Sequence, residues 1–179
     1  MVYVFLAEGF EELEAIEPVD ILLRGGVDVK TVGVTGKTVA GAHGIPFVAD
    51  IEIKDAAFEG LEGIVLPGGM PGTTNLENSA DVQKFIDYAY NNGLFTCAIC
   101  AAPTVFGHKG MLEGKKAICY PSLEPQLKGA SVVDEQAVKD GNIITGKGPG
   151  AAKEFGFAIL NALKGDAVCE TVKNEMCYK

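Results

Sequence analysis

Short apolar runs alternate with helical patterns along most of the chain. Val2–Ala7, Gly63–Leu66 and Leu94–Ala98 are apolar runs of the kind found in strands that are buried on both faces. Val27–Val34 is predicted as a further strand because it directly follows the Gly pair that ends the first helical pattern. Strands that alternate with helices predict right-handed crossovers and a mainly parallel sheet covered on both sides.

Four helices are predicted between and after these strands. The first follows the first strand and ends at Gly25–Gly26, and the second is capped by Asn78–Ser79. A third follows Cys100, and a fourth runs from Pro149 to about Leu163. The first helix is predicted from the helical spacing of its apolar residues Leu13, Ile16, Val19, Leu22 and Leu23. The second is predicted from the same spacing of Val82, Phe85, Ile86 and Tyr90.

The remaining segments are predicted as short strands and turns. Thr35–Asp50 has the Gly turn signals of a hairpin, Ala117–Tyr120 is predicted as one more short strand, and Ile143–Thr145 follows a turn at Lys139–Asn142. No linker, repeat or low-complexity tract divides the chain. We therefore expect one domain over residues 1–179, folded as a single α/β sandwich.

Composition and charge narrow the classes of function. The chain has 179 residues, 47% of them apolar, which is enough for one core without a structural metal or disulfides. The net charge of −9 argues against nucleic acid and anionic membranes as partners, because both bind cationic surfaces. The N-terminus has no basic leader before its first apolar run, so we expect a protein that is neither secreted nor membrane-bound.

The five cysteines point to thiol chemistry in a reducing compartment. Their odd number and irregular spacing do not form a disulfide framework, so we expect a cytoplasmic protein. Cys97 and Cys100 form a Cys-x-x-Cys, but three residues of strand separate their Cα atoms by about 10 Å, beyond disulfide reach. With two histidines in the chain, His43 and His108, a zinc site would need an unusual ligand set, and we expect no metal.

Cys100 follows an apolar strand and is itself followed by small residues. This is the pattern of a nucleophile elbow, a sharp strand-to-helix turn that exposes a reactive side chain. A helix N-terminus beneath the thiol would lower its pKa. The alternative is that Cys100 is a buried small hydrophobic residue, which is common for a free cysteine.

Two other turns after predicted strands carry candidate groups. Glu11 and Glu12 suit the first turn of a helix, while Glu14 lies at the border of its predicted buried face. A protonated carboxyl there could donate a hydrogen bond to a nearby sulfur. In Leu66–Gly69, two glycines after a strand would allow backbone N–H groups to approach a reacting atom as an oxyanion hole does, although a plain tight turn is the commoner explanation.

Five motifs in order resemble one known superfamily. They are Glu11–Glu14 with Pro18–Asp20 and Arg24, Leu66–Gly69 with Asn75–Leu76, Ala98–Pro103, Tyr120–Pro121, and Thr145–Gly150 before a helix. Together they resemble the DJ-1, ThiJ and PfpI proteins from Val2 to about Val172, and within them the DJ-1/ThiJ branch. The resemblance implies a flavodoxin-like three-layer sandwich and a homodimer. It also implies that Cys100 is the nucleophile, that Glu14 is its protonated partner, and that Gly69 and Ala101 supply the oxyanion N–H groups.

The chain departs from this superfamily at two positions where many members carry a histidine. Ala101 occupies the position after the reactive cysteine and Tyr120 the position on the later segment, so no histidine triad is predicted. Proton transfer would then fall to Glu14, with Tyr120 as a hydrogen-bond donor or a pocket wall. His43 and Arg24 could attract an anionic substrate, although lone basic groups are commonly solvated.

The resemblance implies cysteine-dependent chemistry on small reactive carbonyls, without a cofactor. Methylglyoxal would be converted to a hydroxy acid through a hemithioacetal on Cys100, in the manner of a glutathione-independent glyoxalase or a protein deglycase. A second hypothesis is a redox-sensing or chaperone-like stress protein in which Cys100 is oxidised. A third is a PfpI-type peptidase or amidohydrolase, which Ala101 disfavours.

Overall fold

A seven-stranded sheet forms the middle of the molecule in a computed structural model that describes residues 1–178. The strands are β1 (Val2–Leu6), β2 (Val29–Gly33), β3 (Thr38–Ala40), β4 (Pro46–Val48), β5 (Ile51–Glu52), β6 (Gly63–Leu66), β7 (Phe95–Ile99), β8 (Lys116–Ala117), β9 (Ser131–Val132), β10 (Ala137–Asp140) and β11 (Ile143–Gly146). The helices are α1 (Glu12–Arg24), α2 (Gly72–Asn78), α3 (Ala80–Asn91), α4 (Pro103–His108), α5 (Ala152–Lys164) and α6 (Asp166–Glu175). Within the described residues, no helix combines the length and apolar character needed to cross a membrane.

The strand order of the central sheet is β10-β11-β7-β6-β1-β2-β5. Every neighbouring pair is parallel except the β10–β11 hairpin at one edge. Helices cover both faces because side chains alternate along each buried strand. Val4 faces the layer of α1, α5 and α6, while Tyr3 and Phe5 face Phe85 of α3 on the opposite side. The predicted three-layer α/β sandwich with a mainly parallel sheet is confirmed.

Helix α1 is buried through a different face from the one its apolar spacing predicts. Leu13, Ile16 and Leu23 are between 43% and 58% exposed. The buried positions are Glu12, Glu14, Ala15, Pro18, Ile21 and Leu22. The orientation follows from close packing on α5, where a Cβ on Gly156 would lie 2.8 Å from Ile21 Cδ1. The three exposed residues therefore form an apolar stripe on the outside of the chain.

The strand predicted over Ala117–Tyr120 is wrong beyond its first residue. β8 ends at Ala117 and pairs with β9 in a separate two-stranded sheet. After it, the Ile118 N–H donates to Thr145 Oγ1 at 2.9 Å and the Tyr120 N–H donates to the Cys100 carbonyl at 2.8 Å. These two hydrogen bonds draw the segment to the end of the central sheet, so Cys119 does not lie on a strand.

The other differences concern short elements. β3 and β4 form the hairpin predicted within Thr35–Asp50. The fourth predicted helix opens with a 3₁₀ turn at Pro149–Ala151, and α5 follows it. α2, α6 and β10 are not predicted, because α2 and β10 are short and α6 follows α5 after a single glycine. The predicted strands β1, β2, β6, β7 and β11 form the middle of the central sheet, and its two edges are β5 and β10, which the sequence pattern does not predict.

Candidate active site

Three neighbouring central strands bring the candidate residues to one edge of the sheet. β1 leads into the helix that carries Glu14, β6 is followed by Gly68 and Gly69, and β7 is followed by Cys100. Because β1, β6 and β7 are parallel neighbours, their carboxyl ends meet at the same edge. Residues that are far apart in the sequence therefore converge there.

Cys100 occupies the sharp turn between β7 and α4. Its φ of 65° lies in the left-handed region that residues with a Cβ seldom adopt. The turn is held by the Cys100 N–H, which donates to the Gly146 carbonyl at 2.9 Å, and by the Ala102 N–H, which donates to Ile99 at 3.1 Å. Cys100 is 8% exposed, so a small part of it is open to solvent. This backbone geometry is the one expected for a nucleophile elbow.

Glu14 is a fully buried carboxyl directed at the thiol. Its Oε2 accepts the Gly68 N–H at 2.8 Å, and the Cys100 side chain is close enough to influence the pKa of the carboxyl. Oε1 is buried and has no hydrogen-bond partner among residues 1–178. Burial raises the pKa of Glu14 to about 7, opposed by the hydrogen bond to Cys100 and reinforced by the charge of Glu11. The carboxyl can therefore exchange a proton near neutral pH.

The Glu14 carboxyl and the Cys100 side chain both pack directly against the backbone of Gly68. A Cβ on Gly68 would lie 2.7 Å from both Cys100 Cβ and Glu14 Oε2. The sequence singles out the glycine pair, but not this contact or the hydrogen bond that Gly68 donates to Glu14. The signal available was the position of Gly68 directly after a buried strand and Pro67.

Two backbone N–H groups face the sulfur. Those of Gly69 and Ala101 act to lower the pKa of the Cys100 thiol, because each can donate to the sulfur when it is charged. Gly69 has a φ of 88°, and a Cβ on it would collide with the backbone of Phe10 and Glu11, so this close approach requires glycine. The two groups predicted as oxyanion donors come from two turns, one after β6 and one after β7.

The lowered thiol pKa expected for Cys100 is contradicted. Burial raises the pKa of Cys100 to about 12, and the charge and hydrogen bond of Glu14 add to this, outweighing the two backbone N–H groups. α4 is also short and begins at Pro103, beyond the turn. Both shifts favour the protonated forms, so the negative charge that the pair gains as pH rises goes to the Glu14 carboxyl before the sulfur.

Tyr120 lies beside the site through its backbone and is half exposed. Its N–H donates to the Cys100 carbonyl, and its ring borders Gly148 in a cavity of about 230 Å³. Cys100 does not line this cavity, so the role of Tyr120 as a pocket wall for the thiol stays a prediction.

Arg24 and His43 are each paired with a carboxylate of α1. Arg24 lies ten residues after Glu14, about 15 Å along α1, and is paired with Asp20 at 2.8 Å. His43 Nδ1 lies 2.7 Å from Glu12 Oε2, and this hydrogen bond raises the pKa of His43. The predicted anion-attracting role of both residues therefore has no contact to support it here.

Glu11, Glu12 and His43 form a cluster that the sequence did not indicate. One potential ligand atom from each lies within 4.8 Å of the others. Both oxygens of Glu12 already accept hydrogen bonds from His43, and Glu11 Oε2 accepts the Glu14 N–H as the N-cap of α1. We interpret the cluster as an ion pair beside a helix cap, because these contacts use the donor atoms a metal would need.

We expect Tyr120→Phe to change the turnover of a small carbonyl substrate by less than about threefold, since a phenol is a poor proton carrier near pH 7. The hydroxyl has no hydrogen bond to the Glu14–Cys100 pair among the described contacts. Steady-state kinetics beside Tyr90→Phe, a matched substitution on α3, would measure this. A loss as large as that caused by replacing Glu14 would assign the proton-transfer role to the phenol.

Comparison of the sequence with known proteins finds one family and several of its members. The model of the DJ-1/PfpI family matches residues 1–162. Protein DJ-1 homolog B of Arabidopsis thaliana is 39% identical over 163 residues, which are 89% of this chain and 37% of that longer protein. Protein dj-1beta of Drosophila melanogaster is 38% identical, over 90% of this chain and 88% of that protein. Glutathione-independent glyoxalase DJR-1.2 of Caenorhabditis elegans is 30% identical, over 95% and 91%.

Solved structures show the same fold over nearly the whole chain. A DJ-1 superfamily protein from Salmonella typhimurium superposes with a TM-score of 0.94 at 35% identity, covering 99% of this chain and 98% of that one. Oxidized DJ-1 of Toxoplasma gondii superposes with a TM-score of 0.94 at 29% identity, covering 99% and 97%. The sequence match, the shared fold and the five motifs agree, and the chain belongs to the DJ-1/PfpI family.

Proposed function

We propose that the chain is a cofactor-independent enzyme that converts small reactive dicarbonyls, such as methylglyoxal, into hydroxy acids. The observation that carries this proposal is the Glu14–Cys100 pair, in which a fully buried carboxyl and the thiol side chain both pack against the backbone of Gly68, and burial raises the pKa of the carboxyl to about 7. A relative named as a glutathione-independent glyoxalase supports the same chemistry.

The first step is the addition of Cys100 to the aldehyde. The Glu14 carboxylate takes the thiol proton while the sulfur forms a bond to the aldehyde carbon. The electron pair of the C=O bond moves to oxygen, and in this proposal the N–H groups of Gly69 and Ala101 stabilise the charge that develops there. Glu14 then gives the thiol proton to that oxygen, which yields a hemithioacetal and leaves Glu14 deprotonated, so no external thiol is needed.

The second step moves a proton between the two substrate carbons. The deprotonated Glu14 removes the proton from the carbon bonded to sulfur and returns one to the neighbouring carbonyl carbon, through an enediol. The product is a thioester of Cys100, in which one carbon has been oxidised and the other reduced. Water then cleaves the C–S bond, releasing the hydroxy acid and the thiol. Glu14 Oε1, which has no partner among residues 1–178, is the oxygen free to contact the substrate.

The proposal is tested by supplying methylglyoxal to the full chain without glutathione. Proton NMR would follow loss of the dicarbonyl and appearance of lactate, with heat-inactivated protein as the control for spontaneous decay. In D2O, deuterium should appear at the lactate methine carbon to the extent that the proton on Glu14 exchanges with solvent. No lactate above the control would refute the proposal.

We also propose that the chain forms a homodimer through the outer face of α1. Leu13, Ile16 and Leu23 are exposed there, and Ile45 and Val48 of the β3–β4 hairpin region are 56% and 66% exposed. Apolar residues arranged as a stripe on one helix commonly mark a surface that another molecule covers.

Light scattering is therefore expected to give twice the chain mass of 18.8 kDa. Ile16→Lys should shift the mass to that of one chain, because a buried unpaired ammonium is costly at an interface. Val132→Lys on β9, also an exposed apolar position, should leave the dimer intact. A wild type that elutes as one chain at all concentrations would contradict the dimer.

A second candidate function is redox sensing at the same cysteine. Glu14 Oε1 has no partner in the described chain and could donate, when protonated, to an oxidised sulfur, and the relative from Toxoplasma gondii has been solved in an oxidized form. All five cysteines of the chain are free thiols, as a reducing cytoplasmic location would require.

Mild peroxide is expected to carry Cys100 to the sulfinic acid without a disulfide. Cys97 is buried within β7, on the strand side of the turn, and is therefore not placed to resolve a sulfenic acid. Mass spectrometry after graded peroxide would measure the added oxygen, with Cys177→Ser as the control for the exposed thiol. A disulfide from Cys100 to Cys97 or Cys119 would contradict this. Sulfinic acid formation in a protein without carbonyl turnover would favour the sensor over the enzyme.

A further inference from the structure

A cavity of about 620 Å³ lies away from Cys100, between α5, α6, the loop before β10 and Tyr178. Its volume is within the range of sites that hold small organic ligands. None of its lining residues belongs to the proposed catalytic machinery. The cavity is therefore a separate site, whose chemistry can be inferred from its own walls.

Glu154 of α5 supplies an unpaired carboxylate oxygen. Its Oε1 accepts the Tyr178 hydroxyl at 2.9 Å, which fixes the orientation of both side chains. Its Oε2 is buried, and no donor from residues 1–178 reaches it. A buried carboxylate oxygen without a donor has lost its hydration without compensation, so a ligand that donates to it would be bound favourably.

Aromatic rings line the cavity next to this carboxylate. The rings of Phe157 and Tyr178 lie 4.9 Å apart between centroids at an angle of 50°. Each already has an ammonium near it, since Lys173 Nζ lies 5.6 Å from the Phe157 centroid and Lys153 Nζ lies 5.9 Å from that of Tyr178. Each ring thus already has a cationic neighbour, and the two rings offer a ligand their apolar surface.

The charges at the cavity favour a cation over an anion. Asp134, Glu135 and Glu154 line it together with a single basic residue, Lys173, which is held by Glu170 at 2.7 Å. Asp134 is paired with Lys147 at 2.7 Å. Within the described chain, the ion pairs do not include Glu135 or Glu154. Two carboxylates therefore remain for a positively charged ligand.

We propose that this cavity binds a small organic amine in its protonated form. The ammonium donates to Glu154 Oε2, and the carbon body packs on Phe157, Tyr178 and Ala158. An inorganic cation would leave these apolar walls uncovered, and an anion would meet unpaired carboxylates. The site does not depend on the function proposed for Cys100.

The test is a titration of the full chain with 2-phenylethylammonium chloride, followed by amide NMR shifts. 2-Phenylethanol, which has the same body without the charge, is the matched ligand. We expect saturable shifts on α5 around Phe157 and Asn161, with the alcohol binding at least about tenfold more weakly. Equal binding of amine and alcohol, shifts centred elsewhere, or no saturation in the millimolar range would overturn the proposal.

Two variants test the charge of Glu154 and the volume of the cavity separately. Glu154→Gln keeps the acceptor for Tyr178 but removes the charge, and should weaken amine binding about tenfold or more. Ala158→Leu fills the cavity without changing charge and should block both ligands. Glu175→Gln on α6 removes a carboxylate that does not line this cavity and should bind as the wild type does. Thermal unfolding would establish that each variant is folded, and the comparison of the two ligands on the wild type stands whether or not they are.

Discussion

Cys100→Ser is expected to lower methylglyoxal turnover by about 10⁴-fold or more, the effect of removing a nucleophile on which every later step depends. A serine hydroxyl in this turn would meet the same N–H groups and the same carboxyl. Its proton is far harder to remove than that of a thiol, however, so the bond to the aldehyde carbon would not form at a useful rate. Initial rates of lactate formation, measured for both proteins at equal concentration, check this.

The control for this substitution is Cys177→Ser, at the exposed end of the chain, which should retain wild-type turnover. Far-UV circular dichroism should not distinguish the three proteins, because the serine replaces a small side chain of nearly equal volume. Turnover that survives in Cys100→Ser would show that water or a general base, and not the sulfur, attacks the carbonyl.

Glu14→Gln is expected to keep the fold and to lower kcat by roughly 10²- to 10⁴-fold. The amide oxygen can still accept the Gly68 N–H and the amide N–H can still donate to sulfur, but the group cannot carry a proton between carbons. In the wild type, kcat/KM should rise with pH and reach half its plateau near pH 7, where the pKa of Glu14 lies. This inflection should be absent from Glu14→Gln.

The same substitution should alter the pH dependence of stability. Because burial raises the pKa of Glu14 from 4.5 to about 7, the native state binds more protons than the unfolded state between these values. The free energy of unfolding therefore falls as pH rises through that window, by about 3 kcal/mol from this group. Urea unfolding at pH 5 and pH 8 should show Glu14→Gln gaining stability relative to the wild type as pH rises.

Glu12→Gln is the matched control, since Glu12 is a buried carboxyl of the same helical turn that contacts His43 and not the thiol. It should retain the kinetic inflection near pH 7. If Glu12→Gln removed the inflection and Glu14→Gln kept it, the proton carrier would have been assigned to the wrong residue.

The existence of the five middle strands, β1, β2, β6, β7 and β11, and the position of Cys100 could be predicted because both follow from local patterns. A buried parallel strand is a continuous apolar run, and a reactive turn after it needs small residues such as Ala101 and Ala102. The apolar run of the strand and the small residues of the turn can both be recognised within a few neighbouring residues. The convergence of Glu14, Gly68 and Cys100 then follows from the parallel order of the three strands that precede them.

The orientation of α1 and the thiol pKa could not be predicted, because both depend on distant contacts. Leu13 has the spacing of a core residue, yet it is exposed while the adjacent Glu14 is buried by its contact with Gly68. The pKa of Cys100 depends on burial and on that carboxyl, which outweigh the local turn. Tyr120 was placed on a strand by its apolar neighbours, whereas its backbone is held by Cys100, twenty residues earlier.

The hydrogen bond between Gly68 and Glu14 spans 54 residues of sequence, and Cys100 lies further still along the chain. Contacts between residues so far apart in the sequence form only when the chain between them has closed into a loop. Loop closure of this kind is slow compared with the formation of single helices. We therefore expect the Glu14–Cys100 pair to form only after β1, β6 and β7 have aligned. A nascent or partly unfolded chain would have an ordinary carboxyl and an ordinary thiol, and recovery of turnover during refolding would report completion of the central sheet.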